Sequence, residues 1–121
     1  MGMVGTVVAE RECRRYVNRL MAEAASLGYP DAASFAKEMS KGTVSLAPCP
    51  DDAIMDCVGD FLIHVAMPIQ RKVLIAAYDF QSYPTLRAKL HETGLRKDRF
   101  YDTLDAGLTF LAGYLIGVGS R

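Results

Sequence analysis

The sequence predicts an all-α domain of about six helices. Apolar residues recur at every third or fourth position through most of the 121-residue chain, and few stretches alternate apolar and polar residues for long. Gly28, Pro30, Gly42, Pro68, Pro84 and Gly94 punctuate the chain between the periodic runs. Half of the residues are hydrophobic, enough for a packed core at this length and too many for a disordered chain.

The first helix is expected over about 7–27, where Cys13, Tyr16, Val17, Leu20, Met21, Ala24 and Leu27 form one apolar stripe. Gly28 stands where a left-handed C-terminal cap belongs, and Pro30 follows it. A short second helix starts at Pro30 or Asp31 and ends before Gly42. Residues 41–50 form a loop, since Pro48 and Pro50 exclude regular structure. The run PDDAIMDCVGDFLIHVAM reads as a third helix, with Asp51 and Asp52 in a first turn whose dipole favours negative charge. Pro68 suits the first position of a fourth helix, PIQRKVLIAAYDF. Ser82 and Pro84 open a fifth, PTLRAKLHE, which stops at Gly94. The sixth begins near Arg96 and carries Phe100, Leu104, Leu108, Leu111 and Leu115 on one stripe. Two parts are expected: an N-terminal helical segment over 1–47, whose role the residues do not state, and a C-terminal helical domain over 48–121.

The fifth and sixth helices are joined by ETGLRK, a connection short enough to make them neighbours. Leu90, four residues before Gly94, has the place of the inward side chain of a helix-turn-helix, and Leu95 and Phe100 would pack the second helix on the first. In that geometry the second helix enters the major groove of double-stranded DNA with its N-terminal end. Arg96, Lys97 and Arg99 would point outward there, with Asp98 tempering their repulsion, and Tyr101 and Thr103 could reach the groove as well. Arginine can read guanine through two parallel hydrogen bonds. Arg71, Lys72, Arg87 and Lys89 suit phosphate contacts that fix register; a merely solvated face is the competing reading for each.

At these residues the chain resembles a known group. MPIQRKVLIAAY followed by LRAKLHETGLRKDRFYDTLDAGLTFLAGYL looks like the C-terminal, region 4-like, DNA-binding part of sigma factors, and equally like the related domains of phage Q-type late antiterminators. The likeness rests on Pro68, Gln70, Arg71 and Tyr78, then on Gly94, Leu95 and the cap position Arg96, then on Leu104, Leu108 and Leu111; it spans about 48–115. Those domains usually carry serine or threonine at the cap. The resemblance implies a phage-derived, DNA-binding regulator of transcription with a second partner, bacterial RNA polymerase or its sigma factor, contacted by the N-terminal helices.

Net charge is zero, but it is unevenly spread. Residues 51–66 hold four acids and no Lys or Arg, whereas 67–100 hold seven bases against three acids, and local charge sets the field a phosphate would meet. On the first helix Arg11, Arg15 and Arg19 form a basic stripe, either a partner surface or a set paired internally with Glu10, Glu12 and Glu23. The odd count of three cysteines, without framework spacing or an opening secretory signal, fits a reducing cytoplasm, here that of a bacterial host cell. Cys49, Cys57 and His64 lie too far apart for the usual paired zinc ligands, so neither metal nor cofactor is expected. No nucleophile elbow, phosphate loop or metalloprotease pattern occurs, and catalysis is not expected. The uncharged run near the C-terminus is shorter than a membrane span and carries four glycines. Gly113 and Gly117 suit plain helix packing or the seam of a homodimer. Neutral net charge, the four-acid helix and the arginine cap fit a rival reading: a helical protein-interaction module or an inhibitor of a host protein, without DNA binding.

Overall fold

The computed structural model describes residues 2–49 and 51–119, with side chains over 5–49 and 51–117. Six α-helices follow one another: α1 Gly2–Ser26, α2 Ala32–Ser40, α3 Ala53–Asp60, α4 Pro68–Tyr78, α5 Leu86–Thr93 and α6 Lys97–Gly119. No strand occurs among the described residues, so the chain is all-α.

Local chemistry sets the boundaries. The α1 exit is a two-bond cap: the Tyr29 amide donates to the Ala24 carbonyl at 2.8 Å and the Gly28 amide to that of Ala25, with Gly28 at φ 83°. The same pair of bonds closes α2, from Thr43 to Glu38 and from Gly42 to Met39. At helix starts, side chains of Asp31, Asp52 and Thr85 accept the amides of Ser34, Met55 and Ala88, each supplying one otherwise orphaned donor with a partner. Thr85, not Ser82 or Pro84, is therefore the cap of α5. Pro68 does open α4.

The third helix is not continuous. After Asp60 the chain widens into a π-helical segment, Phe61–Val65, closed by the Ala66 amide on the Phe61 carbonyl at 2.8 Å. The wider turn lets three consecutive side chains, Phe61, Leu62 and Ile63, all enter the core. Ala66 and Met67 then run extended, as residues ahead of a proline do.

One core joins all six helices and crosses residue 47 without a break. It takes Cys13, Tyr16, Val17 and Leu20 from α1, Phe35 from α2, Val58 from α3, Leu74 and Ile75 from α4, and Phe100, Leu108 and Leu111 from α6. Helix α1 lies along α6 and also meets α2, α3 and α4. Leu104 and Leu115 of the α6 stripe pack at the edge of this core. Two glycines permit close approach of neighbours. A Cβ on Gly59 would lie 2.7 Å from the Tyr16 ring, and one on Gly107 would lie 3.2 Å from Leu74. Met67 and Gln70 line one cleft with Phe110 and Tyr114. Those two pairings run in opposite senses along the helices, so α4 and α6 are antiparallel.

Candidate nucleic-acid interface

Gly94 makes the turn between α5 and α6. Its φ of 70° is left-handed, and its amide donates to the Leu90 carbonyl at 2.8 Å. Leu95 packs on the core, and the Arg96 carbonyl accepts the Phe100 amide at 2.8 Å, which places Arg96 at the head of α6. Phe100 is 1% exposed and fixes the helix start, its ring edge-on to Tyr101 with centroids 5.5 Å apart. Against this anchored base Arg96, Lys97 and Arg99 are all exposed, as is Tyr101; Thr103 is half-buried. Among the described residues no carboxylate comes within 4.0 Å of any of the three cations. Arg87 is exposed on the neighbouring α5, at a cleft it shares with Thr85, His91 and Glu92.

Arg71 and Lys72 do not join this group. Gly107 faces Leu74 in the antiparallel pair, so the start of α6 lies about 15 Å from that level at 1.5 Å per residue. Arg71 lies on the other side of it, giving about 20 Å along the axis. Arg71 is half-buried, donates to the Ile63 carbonyl at 3.3 Å, and has its pKa lowered by desolvation; Lys72 is exposed.

Lys89 corrects the expectation placed on it. Its ammonium is buried, donating to the carbonyls of Ala76 at 2.8 Å and Tyr83 at 2.6 Å, and it sits 4.1 Å from the Phe80 ring centroid. Burial lowers its pKa, and the nearby Asp79 carboxylate partly restores it. One carbonyl in the last turn of α4 and one in the loop ahead of α5 need a donor there, and Lys89 is the residue that reaches them. It is a tie between α4 and α5, not a phosphate contact.

The stripe on α1 is committed internally. Arg15 bridges Glu12 at 2.7 Å and Asp52 at 2.6 Å, Arg11 lies 3.5 Å from Glu12, and Arg19 donates to the Ala47 carbonyl. Hydrogen bonds to Asp52 and Glu12 raise the Arg15 pKa, while the Met55 amide and then Arg15 lower that of Asp52. Glu12 was a foreseen partner. Asp52, 37 residues away, was not, and no local spacing could have indicated it.

Cys13 is fully buried and its thiol is pushed up to about 12, chiefly by that burial, so it is a small core side chain and a poor nucleophile. Among the described residues no cluster of three potential metal ligands occurs, and no helix is long and apolar enough to cross a membrane. Gly113 and Gly117 are exposed, and among the described residues a Cβ at either would meet nothing within 4 Å, so neither is needed there for close packing. Beside Gly113 lies a cleft of about 490 Å³ lined by Phe61, Val65, Met67, Phe110 and Tyr114 among others, with Met67 63% and Phe110 62% exposed. Phe110 and Met67 fall outside the periodic stripes, which is the signal that the sequence does hold.

The fold and site define an all-helical protein whose basic helix start forms no ion pair among the described residues. No protein family, curated protein or solved structure matches the chain.

Proposed function

We propose that the chain is a DNA-binding regulator of transcription that meets double-stranded DNA with the start of α6. One observation carries this reading: Arg96, Lys97 and Arg99 are exposed, lack a carboxylate within 4.0 Å among the described residues, and crowd the end of a helix that repels cations. Each such charge costs about 0.3 kcal/mol or more there if nothing negative binds. A phosphate reverses the sign, and the anchored Phe100 base makes the group rigid enough to present. Arg99, a turn into the helix, is the base-edge reader. Arg96, Lys97 and Arg87 contact phosphates, with Tyr101 and Thr103 flanking them.

The likeness to sigma-factor and Q-type antiterminator domains supports a phage-derived antiterminator acting in the bacterial cytoplasm, with RNA polymerase or sigma factor as second partner. The committed α1 arginines leave the cleft around Phe110 as the better place for a protein contact. That cleft also favours the second reading, an interaction module or inhibitor that takes an apolar segment and never touches DNA. Titration of a random-sequence duplex at two salt concentrations separates the two. With three to four phosphate contacts, log affinity should fall by about 3 units per tenfold rise in salt. Absence of duplex binding even at low salt would leave the second reading standing.

A further inference from the structure

We infer that a second anion site lies between α2 and α4, where Lys37, Arg71 and Lys72 converge on one cavity and hold a phosphate group. The cavity, of about 230 Å³, is lined by Ala33, Lys37, Pro68, Arg71, Lys72 and Ile75: three cations from two packed helices and no acid. Among the described residues none of the three has a carboxylate within 4.0 Å. No ion pair among the described residues offsets their mutual repulsion.

Arg71 defines the site's geometry. One guanidinium nitrogen donates to the Ile63 carbonyl at 3.3 Å, which tethers the fork, and among the described residues its remaining donors have no hydrogen-bond partner. Because a guanidinium keeps its proton, its partial burial is relieved by an anion, not by neutralisation; the lowered pKa agrees with this. Ala33, Pro68 and Ile75 make the walls apolar, so a bound charge is attracted more strongly than in open water. Pro68 has no amide hydrogen, which leaves the side chains as the principal donors. A carboxylate can be satisfied by one guanidinium fork. Three cations arranged around a cavity suit the several oxygens and greater charge of phosphate. The site lies about 20 Å from the start of α6 along the helix axis and does not depend on that surface reading DNA.

The phosphate can come from a free phosphomonoester or from a duplex backbone, and the test separates the two. Inorganic phosphate is titrated into the full chain at ionic strength matched with chloride, reading the thermal midpoint and the amide NMR signals. Phosphate should raise the midpoint saturably and move the signals of residues 37, 71 and 72. Lys37→Ala and Lys72→Ala, both at exposed positions, should stay folded and raise the half-saturating concentration at least about tenfold each. Lys37→Glu should raise the midpoint in chloride by supplying the missing anion, and abolish the phosphate response. A duplex that displaces phosphate identifies the backbone as its source; a duplex that leaves it bound identifies a free ester. Arg99→Ala should leave the phosphate response intact, so this site and the DNA reading fail separately. No rise and no signal movement beyond the chloride control would overturn the site, as would an unchanged response in the Lys37→Ala/Lys72→Ala double variant.

Discussion

Replacing Lys89 by alanine tests whether this residue is a structural tie or a surface cation. The substitution strands the Ala76 and Tyr83 carbonyls in the interior and removes the positive charge that Lys89 presents to the fully buried Asp79. Asp79 already has one oxygen, Oδ2, that no donor among the described residues reaches; its Oδ1 accepts the Ser82 amide at 2.9 Å. Hydrogen bonds from a charged donor contribute about 1.5 to 3 kcal/mol each, and the Phe80 contact about 0.5 to 1. Against this stands the desolvation of the ammonium, which the variant no longer suffers. The net loss should be about 2 to 5 kcal/mol, in the range for breaking a buried charge arrangement from one side. In urea denaturation the midpoint should fall by about 1 to 3 M at unchanged slope. Lys89→Met keeps the stem and loses the donors, so it should fall between the parent and alanine. Arg87→Ala, two residues away on the exposed face, should stay within about 0.5 kcal/mol of the parent. If Lys89→Ala were equally silent, the ammonium would not be buried and the whole account of the α4–α5 joint would be wrong.

Gly59→Ala should destabilise by about 1 to 3 kcal/mol, because the new methyl would lie 2.7 Å from the buried Tyr16 ring; a variant of parental stability would show that the two helices are further apart. Burial pushes the Tyr16 hydroxyl up to about 12 and raises those of Tyr78 and Tyr83 as well. The unfolded chain loses these protons first, so stability should fall as pH rises from about 10 towards 12, and Tyr78→Phe should soften the fall. Asp52, lowered first by the Met55 amide and then by Arg15, contributes stability that is present above its unfolded pKa and lost as pH falls through the folded one. Asp52→Asn should therefore flatten the acid limb of the denaturation profile; an unchanged limb would mean that the cap and the Arg15 bridge contribute nothing.

Several helix boundaries were legible because their causes are local. Asp31, one of two residues expected to start α2, Gly28, Gly42 and Gly94 as exits, and Pro68 as an entry all act within a few residues of where they stand, whereas the starts of α1 at Gly2 and of α5 after Thr85 were not placed. The π-helical segment was not legible, since FLIHV has no breaker and an unbroken apolar run reads as continuing helix. Among candidate site residues, exposure at the start of α6 follows from the Leu95 and Phe100 anchors, which the spacing displays. The burial of Lys89 does not, because it depends on where the Ala76 and Tyr83 carbonyls fall after two turns of chain. The union of Lys37 with Arg71 and Lys72 likewise depends on α2 meeting α4, and the Arg15–Asp52 bridge on α1 meeting the start of α3. Tertiary placement decides these, and side-chain type alone carries no record of it.

The claim that the start of α6 is the DNA contact is tested most directly with a triple alanine variant at Arg96, Lys97 and Arg99, confirmed folded by circular dichroism. Parent and variant are titrated, across a salt series, against a duplex selected from a random pool by the parent protein and against a scrambled duplex. The triple variant should bind both more weakly and show a salt slope shallower by about 2 to 3 units. Arg99→Ala alone should weaken the selected duplex by about 1 to 3 kcal/mol and leave the scrambled one nearly unaffected. A folded triple variant that binds every duplex as tightly as the parent would contradict the claim, and an acidic protein partner would then have to explain the basic helix start.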